Sequence, residues 1–506
     1  MINFKENIFY PVRINSHRVF FLLLFFLVVR LGIAQVYHYD INHEIKEAYA
    51  LVEQLKLDEA QIICNQLKET QPSNLIVYHV ENYIDFFRCF ITEEDEVFDK
   101  LEKNKAKRLD ILSKGDPSSP YYRFSRAEVL LQWSLVEIKY KNYITALLNL
   151  NKATGLLEEN KKAFPEFLLN NKSLSVVHAL VGTIPETYKR PLGWVSSFGG
   201  TIDQGYQEIS EMTCDIDEDN LFYREVIVIK ALIELHLVDD KDAAWETVSQ
   251  IVLDVKSSPL MYFVTANVAH RSKRNDIAIS ILEKHDNEGR LPFYYLDFLS
   301  GVYRLNRLES GADKYLLKYV NNFKGKNYIK EAYLKLAWYE YAINNNSDGF
   351  YKYLELCKVH GEMITDEDKY AMRFAEKAVL PDRILLRART LFDGGYYQRA
   401  IEEIGKINGG LNDNDLIEYH YRKGRIFFEQ RKYNESLSEL YAVINSPEKS
   451  EDYHVKSLYF IALTYERVGY RDLAKQFYEK VINENSGVYK SSLEQKAKAG
   501  LSRLKE

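Results

Sequence analysis

Eleven histidines, four cysteines and 73 acidic residues are spread along the 506 residues of this chain. Zinc hydrolysis on a helix needs two imidazoles one turn apart, and the sequence has no HxxxH or HExxH. His270, His285 and His360 stand singly and read as polar or half-buried helix residues. Cys64, Cys89, Cys214 and Cys357 are far apart and form no CxxC, so they read as small buried hydrophobes. A chain this long buries a core of its own without a disulfide framework. No GxxxxGKS/T, GxGxxG or GxSxG stretch offers a phosphate cradle, a dinucleotide turn or a nucleophile elbow. Glu93-Glu94, Asp366-Glu367-Asp368 and Glu402-Glu403 read as solvated faces or first-turn residues that offset a helix dipole. Nothing here asks for an enzyme, a metal or a cofactor.

What remains is arginine among aromatic side chains, of which 38 are Tyr and 26 are Phe. These residue types dominate interface energetics, at roughly 2 kcal/mol or more for each hot spot. They act together only if the elements carrying them set them on one face. The composition, 46% hydrophobic and 28% charged, is that of a globular chain. Gly and Pro number 23 and 11, well below their usual share of roughly 12%, which points to helix. Net charge is −6, and −9 once the first 34 residues, which carry +3, are set aside. That balance lacks the basic footprint of a nucleic-acid binder.

From Gln35 onward apolar residues recur at i, i+3, i+4 and i+7, the spacing of amphipathic helices. The pattern repeats every 34 to 38 residues. In one clear copy Leu458 is followed by Ala462 and Tyr465, then by Gly469, Ala474 and Tyr478. Two antiparallel helices approach closely only where small residues meet, with bulky ones filling the space around them. This spacing resembles the tetratricopeptide repeat (TPR). Further copies hold Gly424 with Ser436, Ala388 with Ala400, Ala337, Ser300 with Ala312, Ala266 with Ala278, Ala231 with Ala243, Ser134 with Ala146, and Ala48 with Ala60. The resemblance implies an all-α fold, a right-handed α-solenoid of degenerate TPR helix pairs.

One stretch interrupts it. Residues 164–220 gather Pro165, Pro185, Pro191, Gly182, Gly193, Gly199, Gly200 and Gly205 around the apolar run Leu174–Val181, Trp194 and Phe198. Helix breakers at that density predict an irregular hydrophobic insertion. The apolar run followed by Phe198-Gly199-Gly200 is similar to a segment of outer-membrane TPR proteins of eukaryotes.

In TPR arrays the first helix of each pair lines the concave face. The resemblance places Arg389, Tyr421, Arg425, Phe428, Tyr459 and Arg467 there, with Trp338 and Tyr341, as a stripe for a protein or peptide partner. An arginine in such a stripe can pair with a carboxylate while stacking on a ring. The Lys/Asn clamp of chaperone-binding TPR proteins does not occur at the corresponding positions. Trp194 and Phe198 are a second candidate contact.

At the N-terminus Lys5, Arg13 and Arg18 precede the apolar run Val19–Val29, and Gly32 and Ala34 follow it. Basic, apolar and small-x-small segments in that order predict a secretory signal peptide cleaved after Ala34. The run of 11 falls short of the roughly 20 residues that span a bilayer; an uncleaved anchor is the alternative. The Ala34-Gln35 junction resembles exported proteins of Gram-negative bacteria. The expected organisation is a signal peptide at 1–34, N-terminal TPR-like repeats at 35–163, the insertion at 164–220 and a C-terminal solenoid at 221–506. The expected function is a non-catalytic interaction scaffold of the periplasm or outer membrane. A membrane-associated or glycan-capture subunit using the insertion is the alternative, and no small-molecule substrate is indicated.

Overall fold

The computed structural model describes residues 36–183, 200–249, 258–284, 288–448, 450–484 and 490–504. The expected signal peptide, and Trp194 and Phe198, lie outside the described residues. Among the described residues the elements are helices: α1 (His43–Glu53), α2 (Leu57–Thr70), α3 (Ile76–Thr92), α4 (Asp95–Leu112), α5 (Pro120–Lys139), α6 (Tyr143–Ala163), α7 (Leu169–Thr183), α8 (Ile202–Asp215), α9 (Tyr223–Ile233), α10 (Lys241–Ser249), α11 (Pro259–Arg271) and α12 (Asn275–Leu282). The second half continues with α13 (Tyr295–Asn306), α14 (Ala312–Asn322), α15 (Ile329–Ala342), α16 (Ser347–Val359), α17 (Asp366–Lys377), α18 (Arg383–Asp393), α19 (Tyr397–Ile404), α20 (Asp413–Glu429), α21 (Tyr433–Ile444), α22 (Glu451–Arg467), α23 (Arg471–Glu484) and α24 (Lys490–Arg503). Asn42, Ser119, Thr201, Ser258, Asn346, Thr365, Asp382, Asn412 and Ser450 each cap a helix by accepting a backbone N–H from its first turn. Successive helices pack as hairpins, and the chain is an α-solenoid of the TPR-like kind.

Six hairpins share one register. Buried small residues recur twelve positions apart: Ala48 and Ala60, Ser134 and Ala146, Ala266 and Ala278, Ala388 and Ala400, Gly424 and Ser436, Ala462 and Ala474. Where the small residue is serine, its hydroxyl donates across the contact, from Ser134 to Ala146 O at 2.8 Å and from Ser436 to Gly424 O at 2.9 Å. Seven positions after each first residue the backbone turns left-handed, at Leu55, Lys141, Lys273, Gly395, Arg431 and Gly469, with φ from 59° to 86°. The α9–α10 hairpin departs from this. Its left-handed residue is Asp239 and the buried partner of Ala231 is Ala244, each one position late, while Ala243 is only partly buried. The cause is a π-helical turn, Glu234–Val238, that prolongs α9 and takes up one extra residue.

The expectation of an irregular insertion is corrected over its described residues. Leu169–Thr183 and Ile202–Asp215 are helices and pack on each other as a hairpin. Glycine there is a packing device: a Cβ on Gly205 would stand 2.5 Å from Ser175 O and 2.9 Å from Ala179 Cβ. Thr201 starts α8 by accepting the Gln204 N–H at 3.0 Å.

The first helices of successive hairpins pack on one another, α1 on α3 and α3 on α5, then α18 on α20 and α20 on α22, and so form the inner layer of the curve. The curve closes on itself. Leu291 N–H donates to Leu55 O at 2.8 Å, and Arg290 Nη1 to Gln54 O at 3.2 Å. Glu93 accepts from the backbone of Lys326 and Asn327 at 3.0 and 2.9 Å, and Lys141 pairs with Glu362 at 2.7 Å. These contacts join residues about 220 to 236 apart in sequence. One superhelical turn therefore encloses an interior.

Candidate functional site

The inner layer of the C-terminal half carries cations set against rings. Arg389 on α18 holds its guanidinium 4.4 Å from the ring centre of Trp338 on α15 and 5.3 Å from that of Tyr370 on α17. Its Nη1 donates to the Tyr370 hydroxyl at 2.9 Å. Lys335, a turn before Trp338, lies 4.2 Å from the same indole. Arg425 on α20 stands 3.6 Å from Phe460 on α22 and 4.9 Å from Phe392 on α18, and donates to the Tyr421 hydroxyl at 3.1 Å. Arg422 lies over Tyr421 and Tyr453 at 5.4 and 5.7 Å and pairs with Glu418 at 2.9 Å. Each such contact stabilises by about 0.5–2 kcal/mol, more where water is excluded. The rings hold the guanidinium groups in place before anything binds.

Within this ladder the buried charges hold one another ionised; burial works against the Arg389 charge, and Asp393 and Glu418 in turn raise its pKa. Burial opposes ionisation of Asp393, but Arg389, Lys335, Arg422 and Lys273 outweigh it and hold the carboxyl below its usual range. Glu418 behaves likewise, with Arg422 and Arg389 overcoming its burial. Burial also works against the Tyr421 phenolate, yet Arg425, Lys456 and Arg422 draw the phenol pKa down. Arg422 and Arg425 reach the carboxylates of Glu418 and Glu429 at 2.9 and 3.5 Å. Among the described residues no carboxylate lies within 4 Å of the Arg389 guanidinium.

Of the expected stripe, Arg389, Trp338, Tyr421 and Arg425 come together here. Phe428 joins at the edge, its ring 5.5 Å from Phe460. Tyr459 is buried in the α22–α23 core against Tyr478, and Tyr341 packs on Phe350 within its own hairpin. Arg467 stands exposed in the last turn of α22, and no contact ties it to the ladder among the described residues. Sequence reasoning missed Tyr370, Arg422, Tyr453 and Phe460. Tyr370 lies on α17, a helix outside the repeat period, so no register position pointed to it. Arg422 and Phe460 sit one residue from Tyr421 and Tyr459, and Tyr453 lies six residues before Tyr459.

A second feature was not legible in the sequence. The interior of the closed turn is a cavity of about 490 Å³ between α1, α3, α5, α7, α9 and α11. Phe87, Leu131, Val176, Val228, Leu232 and Phe263 form its apolar wall. At one end Lys172, 1% exposed, reaches Glu128 at 2.7 Å and Glu225 at 2.9 Å. The Tyr49 and Tyr83 hydroxyls donate to Glu225 at 3.1 and 2.9 Å. Burial pushes the nearby Glu53 carboxyl up to about 7, against the pull of Arg224. A separate cleft of about 600 Å³ lies beside α3 and α4, and among the charged side chains lining it Arg108 pairs with Asp85 at 2.6 Å and Arg88 with Asp58 at 2.5 Å. No helix among the described residues is long and apolar enough to cross a membrane.

No protein-family model matches the chain, and no curated protein does. Solved structures that it resembles include the APC/C hetero-tetramer Cut9-Hcn1, at 12% identity over 89% of this chain and 95% of that one, with a TM-score of 0.24. Yeast Tom70 matches at 14% identity over 91% and 97%, also with a TM-score of 0.24. Naa15/Naa10 bound to HypK-THB matches at 12% over 92% and 78%, with a TM-score of 0.21. Superpositions this loose say nothing about function.

Proposed function

We propose that the chain is a non-catalytic interaction scaffold that holds a protein partner on the inner layer of its C-terminal hairpins, with Arg389 taking a carboxylate of that partner. One observation carries the reading: a half-buried guanidinium fixed against Trp338 and Tyr370, with no carboxylate within 4 Å among the described residues. Bidentate pairing of such a guanidinium with a carboxylate is directional and strong. The order of basic, apolar and small residues before Gln35 supports export, and with it a partner in the cell envelope.

Capture from the native envelope by the tagged mature chain, followed by affinity measurement on the captured protein, tests the reading. Arg389→Ala should weaken binding at least tenfold, about 1.4 kcal/mol, with the helical signal unchanged. Equal binding by wild type and Arg389→Ala, with loss on replacing Trp194 or Phe198, would favour the membrane- or glycan-contacting alternative. The mass of the protein from its own cells reports export: a chain starting at Gln35 is expected, and one starting at Met1 means an uncleaved anchor.

A further inference from the structure

The cavity inside the closed turn shares no residue with the Arg389 ladder and calls for a different occupant. We infer that it binds one uncharged apolar molecule bearing an oxygen acceptor, with the apolar part along Phe87, Leu131, Val176 and Phe263 and the oxygen at Arg224. A volume of about 490 Å³ falls in the range of roughly 300–1,000 Å³ that encloses one small ligand. The wall comes from six helices, and the turn is latched by Leu291 on Leu55 and Arg290 on Gln54, which bars a folded partner element from the interior.

Charge decides against an ionised head of either sign. In the lining Lys172 and Arg224 stand against Glu128 and Glu225. Burial, against the pull of Arg224, keeps Glu53 protonated below about pH 7, and burial with Arg271 disfavours the charged form of His236. The lining is then neutral, and an ionised occupant would add a charge that nothing offsets. The carboxylates are also taken as acceptors. Glu225 receives Lys172 at 2.9 Å and the Tyr49 and Tyr83 hydroxyls at 3.1 and 2.9 Å. Glu128 receives Lys172 at 2.7 Å and the Ser173 hydroxyl. What the lining leaves open is a donor. The Arg224 side chain is 50% exposed and its Nη1 stands 3.6 Å from Glu53, beyond hydrogen-bond reach. Its guanidinium makes no hydrogen bond among the described residues. An uncharged oxygen acceptor uses that donor and leaves the balance intact.

Decanol, decylammonium and decanoate, which share one chain length, test this with the purified protein below micelle concentrations and just below neutral pH, by titration calorimetry and native mass spectrometry. One equivalent of decanol should bind at least tenfold more tightly than either ion. Arg224→Met should weaken decanol at least threefold and, by leaving one carboxylate uncompensated, strengthen decylammonium. Glu53→Gln, uncharged like the protonated acid, should keep the wild-type order. Val176→Trp should fill the cavity and abolish binding of all three. Should that variant fail to fold, the wild-type protein still decides: affinity across hexanol to hexadecanol must rise and then level off. Decanoate as the tightest ligand would make Arg224 a carboxylate anchor and overturn the proposal. Equal affinity for all three, several bound equivalents, an affinity that climbs with every added methylene, or no binding would each overturn it as well.

Discussion

The guanidinium of Arg425 lies 3.6 Å from the centre of the Phe460 ring, across the contact between α20 and α22. Each residue belongs to the first helix of its hairpin, so the pair ties one repeat to the next on the inner side. Arg425→Ala and Phe460→Ala should therefore couple. A double-mutant cycle on urea unfolding is expected to return about 1 kcal/mol. A coupling within error of zero would mean that the stack adds nothing to the join.

The π-helical turn makes a sharp prediction about register. Ala244→Leu should overpack the α9–α10 contact and cost about 1–3 kcal/mol, as should Ala462→Leu and Ala400→Leu in their hairpins. Ala243→Leu, one residue away and only partly buried, should change stability by no more than about 0.5 kcal/mol. Thermal unfolding of the two neighbours separates the cases. The reverse order of effects would place the small-residue contact where the sequence spacing alone puts it.

Gly205 sits where α7 and α8 cross. Gly205→Ala would press a methyl group onto backbone, Ser175 O at 2.5 Å and Ala179 N at 2.8 Å. Neither can swing away as a side chain can. A loss of about 1–3 kcal/mol is expected even though alanine is the better helix former, and a raised melting temperature would contradict the observed crossing.

His79 gives the fold a pH dependence. It is buried, stacked on Tyr83 with ring centres 5.6 Å apart, and neither ring nitrogen has a partner among the described residues. Burial pushes its pKa down to about 4, below the unfolded value near 6.5. The unfolded chain thus takes up the proton first as pH falls. The stability owed to neutral His79 is whole above about pH 6.5 and drains away towards pH 4, at up to about 1.4 kcal/mol per pH unit. His79→Phe should flatten part of that slope in urea midpoints measured between pH 7 and 5. His270, pushed down to about 3 by burial, keeps its own share. An unchanged slope in the variant would assign the dependence elsewhere.

Helix pairs and their contact points were open to sequence reading because each hairpin repeats one local rule, a small residue, a turn and a second small residue. Ala48 with Ala60 and Ala462 with Ala474 obey it at opposite ends of the chain. Two things broke the rule locally. The π turn before Asp239 displaced a contact by one residue, and Gly205, which reads as a helix breaker, proved to be a place of close helix approach. The ladder was only partly legible. Arg389 and Arg425 fell at inward register positions, whereas Tyr370 comes from a helix without a place in the period. The cavity was not legible at all, since it depends on Leu55 meeting Leu291 after a full superhelical turn. No local pattern encodes such a meeting.

Photo-crosslinking from defined positions tests most directly whether the partner lies on the inner layer of the C-terminal half. A benzophenone side chain in place of Tyr370, beside Arg389, compares with one in place of Tyr351, which is 41% exposed on the second helix α16. In the native envelope, position 370 is expected to yield a discrete adduct that disappears with Arg389→Ala, and position 351 to yield none. An adduct from position 351 with none from position 370 would contradict it.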